Sequence, residues 1–137
     1  MTSAICLALV IFFEGGIESP IGQTAIGWSV INASKSHSSS VCHEVIYSGR
    51  YVAINNRLDN EHKISLPVGK KWNQTVHLAF QVIRKKIPDP TNGATNFECT
   101  LWKSCKNPPW WAARMTYQGR YGTQDFYKES GHYEHKN

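Results

Sequence analysis

The chain has 137 residues, 41% hydrophobic and 18% charged, with a formal net charge of +5. That length holds one domain and one core, leaving no room for a second, and the composition is ordinary for a soluble globular protein. The positive charge favours a polyanionic partner, but basic residues form no long run and no recognition motif, which argues against nucleic acid.

The first element is a helix over about Thr2 to Gly15, stopped by Gly15-Gly16. Its run "AICLALVIFF" is preceded by no Lys or Arg and followed by no clean small-x-small cleavage site, so it reads as a buried helix and supplies no export signal. It is also too short to span a bilayer, and no stable membrane insertion is expected. The run ends abruptly in Glu14. A carboxylate there is costly unless exposed or used, because burial disfavours its charged form. A carboxyl held protonated near neutrality is what a general acid needs.

Ser19-Pro20 reads as an N-cap with proline at the first helical position, opening a second helix toward Ser34. Ile21, Ala25, Ile26, Trp28, Val30 and Ile31 make it apolar on more than one face, hence central. "SKSHSSS" is a polar linker, and Ser40 caps a short helix through "VCHEVIY". Residues 48–68 show no period and read as a long surface loop. A third long helix runs from about Lys70 to Lys86, with Trp72, Val76, Ala79, Phe80, Ile83 and Ile87 at helical spacing. "IPDPTNGAT" breaks it with turns. "ATNFECTLW" and "RMTYQGRYGTQDFY" then alternate as strands, giving one or two small hairpins. Residues 1–128 form the domain and 129–137 a frayed tail. Helices first and a small β region late, without βαβ alternation, make a mainly α or α+β domain rather than a nucleotide-binding sheet.

Four cysteines do not make a disulfide scaffold at this length. Cys6 is most simply a small buried hydrophobe, while Cys99 and Cys105 flank "TLWKS" and can close a small loop. A zinc site from these two with His132 and His135 has no closed tetrahedral spacing. No metal or other cofactor is expected.

Several blocks, in order, resemble the cell-wall hydrolase family of the spore cortex-lytic enzymes, which also occurs among phage lysis proteins. "FEGGIE" and "GQTAIGWSVINA" are similar to that family's "GEARGE" and "GQVAVAWVILNR". "CHEVIY", "DPTNGATNF", the Pro109-Trp110 step and "YGTQDFY" follow as its later blocks do, covering about Leu7 to Tyr127. The resemblance implies a lysozyme-like, mainly helical fold acting on peptidoglycan glycan strands as a lytic transglycosylase or muramidase. It places the catalytic glutamate on Glu14. Two departures stand out: "GGI" replaces the family's "ARG" between the glutamates, and Asn96 replaces a histidine.

A lytic transglycosylase needs no second carboxylate, whereas a hydrolytic muramidase usually has one; Glu18, Asp89, Glu98 and Asp125 lie nearest the motifs. Glu18, at the family's second motif glutamate, also suits a helix N-terminus structurally. Gln23 can bind a substrate acetamido group or satisfy a loop carbonyl. Thr95 and Asn96 can line the cleft or form polar hairpin edges. Trp110 and Tyr127 can stack on sugars or serve as core. Lys70, Lys71, Arg84, Lys85, Lys86, Lys103 and Lys106 are candidates for steering the domain to an anionic wall.

Bacterial peptidoglycan is thus the expected partner, and nothing sets an oligomeric state. The expected location before action is the host cytoplasm or a phage particle. The alternatives are a peptidoglycan amidase or endopeptidase, which needs a metal or a Cys-His nucleophile, and a non-catalytic virion or wall-binding protein. Cys42-His43 are sequence neighbours whose side chains point different ways on a helix, which argues against a dyad.

Overall fold

The computed structural model describes residues 1–99 and 110–129, and only the backbone of Trp110. Five helices lie among them: α1 (Ser3–Gly15), α2 (Pro20–Ser36), α3 (Val41–Tyr47), α4 (Val52–Asn55) and α5 (Lys70–Ile83). Strands β1 (Asn96–Cys99), β2 (Met115–Tyr121) and β3 (Gln124–Glu129) follow, with a 3-10 turn (Trp110–Arg114) leading into β2. Three helices start where side-chain oxygens satisfy otherwise orphaned N–H groups. Thr2 Oγ1 accepts from Ile5 N–H at 3.3 Å, Ser19 Oγ from Gly22 N–H at 3.4 Å, and Ser40 Oγ from His43 N–H at 3.0 Å.

The core is built around α1, which packs against α2, α3, α4 and α5. Every residue from Cys6 to Ile11 is buried, so the helix needs apolar neighbours on all sides rather than along one stripe. Where α1 meets α2 the backbones come close. A Cβ on Gly15 would lie 2.5 Å from Ile26 Cδ1, so glycine here serves close approach. Trp28 is core, as expected, and its indole N–H donates to Ile87 O at 2.9 Å.

Helix α5 ends three residues early: Lys85 takes a left-handed conformation, φ 58°. Its inward side is Trp72, Thr75, Ala79 and Val82, while Phe80, one of the apolar residues at helical spacing, is exposed beneath the Arg84 guanidinium. The segment 48–68 is not all surface loop. Tyr51 and Ile54 are buried around α4, a helix too short to show a 3.6-residue period.

The lysozyme-like, mainly helical expectation needs correction. The chain forms a mixed α+β fold in which the late β region is a three-stranded antiparallel sheet of order β1-β3-β2, not an appended hairpin. β1 returns from the turns after α5 to pair with β3, Asn96 opposite Tyr127 and Cys99 opposite Gln124. Helix–sheet packing makes β1 part of the core wall, with Phe97 against Phe126 at 5.8 Å. Glu129, assigned to the tail, closes β3; the rest of the tail lies outside the described residues.

Cys6 also needs correction. It forms a disulfide with Cys42, tying α1 to α3. The proposed Cys99–Cys105 link involves a residue outside those described.

Candidate active site

An open pocket of about 560 Å³ lies between the end of α1 and the sheet. Glu14, in the last turn of α1, reaches it half-buried, and its Oε2 accepts from Ala53 N–H of α4 at 3.1 Å. The carboxyl is therefore anchored on one side by backbone, not sealed among apolar groups. All four residues of β1 line it too, with Gln124 of β3 and Trp111. The Trp111 ring meets Tyr127 edge-on at 5.4 Å, which fixes its orientation.

The "DPTNGAT" turn delivers β1 to this place. Asp89 Oδ1 accepts from Thr91 N–H at 2.8 Å and Thr91 Oγ1 at 2.6 Å, and its Oδ2 accepts from Gly93 N–H at 3.0 Å. Asn32 of α2 donates to Asp89 Oδ2 and Ala94 O, both at 2.9 Å, binding the turn to the helical layer. A bulge between Tyr117 and Gly119 leaves Gln118 to donate to Thr91 O at 2.8 Å. These groups hold the β1 strand in place without touching the pocket.

The pocket brings together Glu14, Thr95 and Asn96 of the expected site residues and leaves others elsewhere. Glu18 is buried at the β2–β3 turn. Its Oε1 accepts from Thr123 N–H at 2.7 Å and its Oε2 from Thr123 Oγ1. Gln23 donates to Gly15 O at 3.2 Å, closing the α1–α2 loop. Tyr127 is buried between Trp111 and Tyr117. The Trp110 side chain is outside the described residues, and among the described side chains Trp111 is the tryptophan that lines the pocket.

Among the four candidate second carboxylates the structure discriminates. Glu18 and Asp89 are engaged as above, and Asp125 accepts from Arg120 Nε at 2.8 Å and from Tyr117 O–H at 3.0 Å. Glu98 lines the pocket with Glu14. Burial pushes its carboxyl above the ordinary value, a hydrogen bond from Cys99 N–H pulls the other way, and the charge of Glu14 pushes it up further.

A group that sequence reasoning missed supports the floor of the pocket. Glu44, almost wholly buried in α3, accepts from Arg50 Nη1 at 2.9 Å and Tyr51 O–H at 3.3 Å, and meets His37 Nδ1 at 3.0 Å. Arg50 Nη2 donates to Thr95 O at 2.9 Å, so a helix carboxylate positions the backbone of a pocket residue through one guanidinium. Burial, opposed by Arg50, raises the Tyr51 hydroxyl far above its usual pKa. The lone glutamate inside apolar "VCHEVIY" was the available signal.

Cys42, one half of the disulfide, offers no thiol for a Cys-His dyad. Among the described residues no three His, Cys, Asp or Glu side chains converge as a metal-ligand set; Cys105, His132 and His135 lie outside them. No helix among the described residues is long and apolar enough to cross a membrane. Comparison with protein-family models, curated proteins and solved structures finds no match to this chain.

Proposed function

We propose that this protein cleaves peptidoglycan glycan strands between N-acetylmuramic acid and N-acetylglucosamine, with Glu14 as general acid and then base. The observation that carries the reading is a helix-terminal carboxyl projecting into an open pocket that also offers amide side chains and an indole. The sugars' acetamido groups present one donor and one acceptor each, which Asn96 and Gln124 complement. The Trp111 ring supplies an apolar face for a pyranose.

In this reading Glu14 gives its proton to the bridging oxygen as the bond to the anomeric carbon breaks through an oxocarbenium-like state. The hydroxymethyl oxygen of the same muramic residue attacks that carbon and its proton passes to the Glu14 carboxylate. This is lytic transglycosylation, and its product is an anhydro end. The ordered sequence blocks around Glu14 support the same assignment.

Purified sacculi incubated with the protein should release anhydro-muropeptides, identified by mass spectrometry. Glu14→Gln, with an unchanged circular dichroism spectrum, should lose at least about a hundredfold in rate, the scale of removing a general acid. A folded Glu14→Gln variant that keeps most of its activity rules Glu14 out. Release of uncut glycan with freed peptides identifies an amidase instead.

A further inference from the structure

The family resemblance leaves open whether a second carboxylate takes part, and the pocket supplies one. Of the four candidates, Glu18 is consumed by Thr123, Asp89 by the turn before β1, and Asp125 by Arg120 and Tyr117. Glu98 alone of these lines the pocket that Glu14 enters. The two residues come from different elements, Glu14 from the end of α1 and Glu98 from β1. Two carboxyl groups in one pocket are what glycosidic hydrolysis uses: one protonates the leaving oxygen while the other deprotonates water.

We propose that Glu98 is the base that admits water to this site, so that the protein releases reducing ends as well as anhydro ends. This rests on Glu14 being the acid. The bond from the anomeric carbon to the bridging oxygen breaks and that oxygen takes the Glu14 proton. A new bond forms from the same carbon to a solvent water oxygen, and the water's proton goes to Glu98. The first step is common to both products; Glu98 governs only which oxygen captures the carbon. Once Glu14 has given up its proton, its negative charge beside the part-buried Glu98 makes the Glu98 carboxylate a readier acceptor for the water's proton.

Reducing and anhydro ends differ in mass by one water, so a single mass spectrum of the released muropeptides gives their ratio. The wild type should release both, and Glu98→Gln should lower the reducing-to-anhydro ratio tenfold or more. An unchanged ratio overturns the proposal, as does a wild type that makes anhydro ends alone. Loss of both products together also overturns it, because Glu98 would then serve the shared step. If Glu98→Gln does not fold, the wild type decides. Its ratio should climb with pH as Glu98 loses its proton, above the ordinary carboxylate range, and a flat ratio sinks the idea. The two glutamates are judged separately. A Glu14→Gln variant that still cleaves refutes the acid, whereas a dead Glu14→Gln beside an unaltered Glu98→Gln ratio refutes only the base.

Discussion

Glu18 shows how one carboxylate is diverted from chemistry into architecture. It lies before α2 in sequence, yet both its oxygens are taken by Thr123, 105 residues later. The fit is close enough that a Cβ on Gly122 would strike Glu18 Oε1, and Gly122 sits at φ +65°, where glycine is at ease. Glu18→Ala should therefore destabilise the protein by about 1–2 kcal/mol, since it leaves a part-buried N–H and hydroxyl without their charged acceptor. A shift of the urea midpoint at constant slope measures it. Unchanged stability with lost activity would return Glu18 to the catalytic list. The sequence made Glu14 legible because an apolar run ending in a carboxylate is a local anomaly. It could not assign Glu18, Glu44 or Glu98, whose neighbours are 105 residues away, across a loop, or on another element lining the same pocket. Glu98 also carries a stability consequence. Its folded carboxyl binds a proton more readily than in the unfolded chain, so its contribution is favourable at low pH and is lost as pH rises through the raised value. Glu98→Gln should melt higher than wild type at neutral pH, and the gain should vanish below about pH 4, the unfolded glutamate range.

At the scale of elements, signals that are local in sequence held. Caps at Ser19 and Ser40 start helices as expected, because a hydroxyl three residues ahead of an N–H is a local geometry. Thr2, expected as the first helical residue, caps α1 in the same way. The hairpin of β2 and β3 was legible from alternation around Gly122-Thr123. What failed was non-local. The β1 segment reads as a strand, but its pairing with β3 is set by the fold, and the short α4 has no periodicity to read. Cysteine pairing failed likewise: proximity in sequence favoured Cys99 with Cys105, while the fold joins Cys6 to Cys42 across a separation of 36 residues. In the chain-entropy account, closing a loop of that size contributes about 3–4 kcal/mol. A Cys6→Ala/Cys42→Ala variant should lose roughly that much in denaturant unfolding, and thiol reduction of the wild type should reproduce the loss. Equal stability of oxidised and reduced protein would show that the link adds nothing.

For the whole molecule, the net charge of +5 bears, under the proposed function, on approach to an anionic wall rather than on bond cleavage. Lys70, Lys71, Arg84, Lys85 and Lys86 are all exposed near the two ends of α5, while Lys103 and Lys106 lie outside the described residues. Attraction beyond about 8 Å is screened at physiological ionic strength. Adsorption to intact sacculi should therefore weaken steadily as salt rises, while turnover of a short neutral glycan at saturation changes little. Salt-independent adsorption in a sedimentation assay would leave the pocket as the main source of affinity. The overall class was legible only coarsely: helices before strands gave α+β, but the order β1-β3-β2 places the first strand at an edge that no local pattern reveals.

The central position of α1 has a consequence for synthesis. The neighbours that cover it, from α2 to α5, are all translated after it. At about 5–20 residues per second, the stretch from Ile17 to Ile83 takes several seconds to emerge. During that interval the side chains from Cys6 to Ile11 have no native partners on most of their circumference. A nascent chain of this kind cannot complete its core one element at a time. The bond from Ala53 N–H that holds Glu14 Oε2 thus forms only after α4 has emerged.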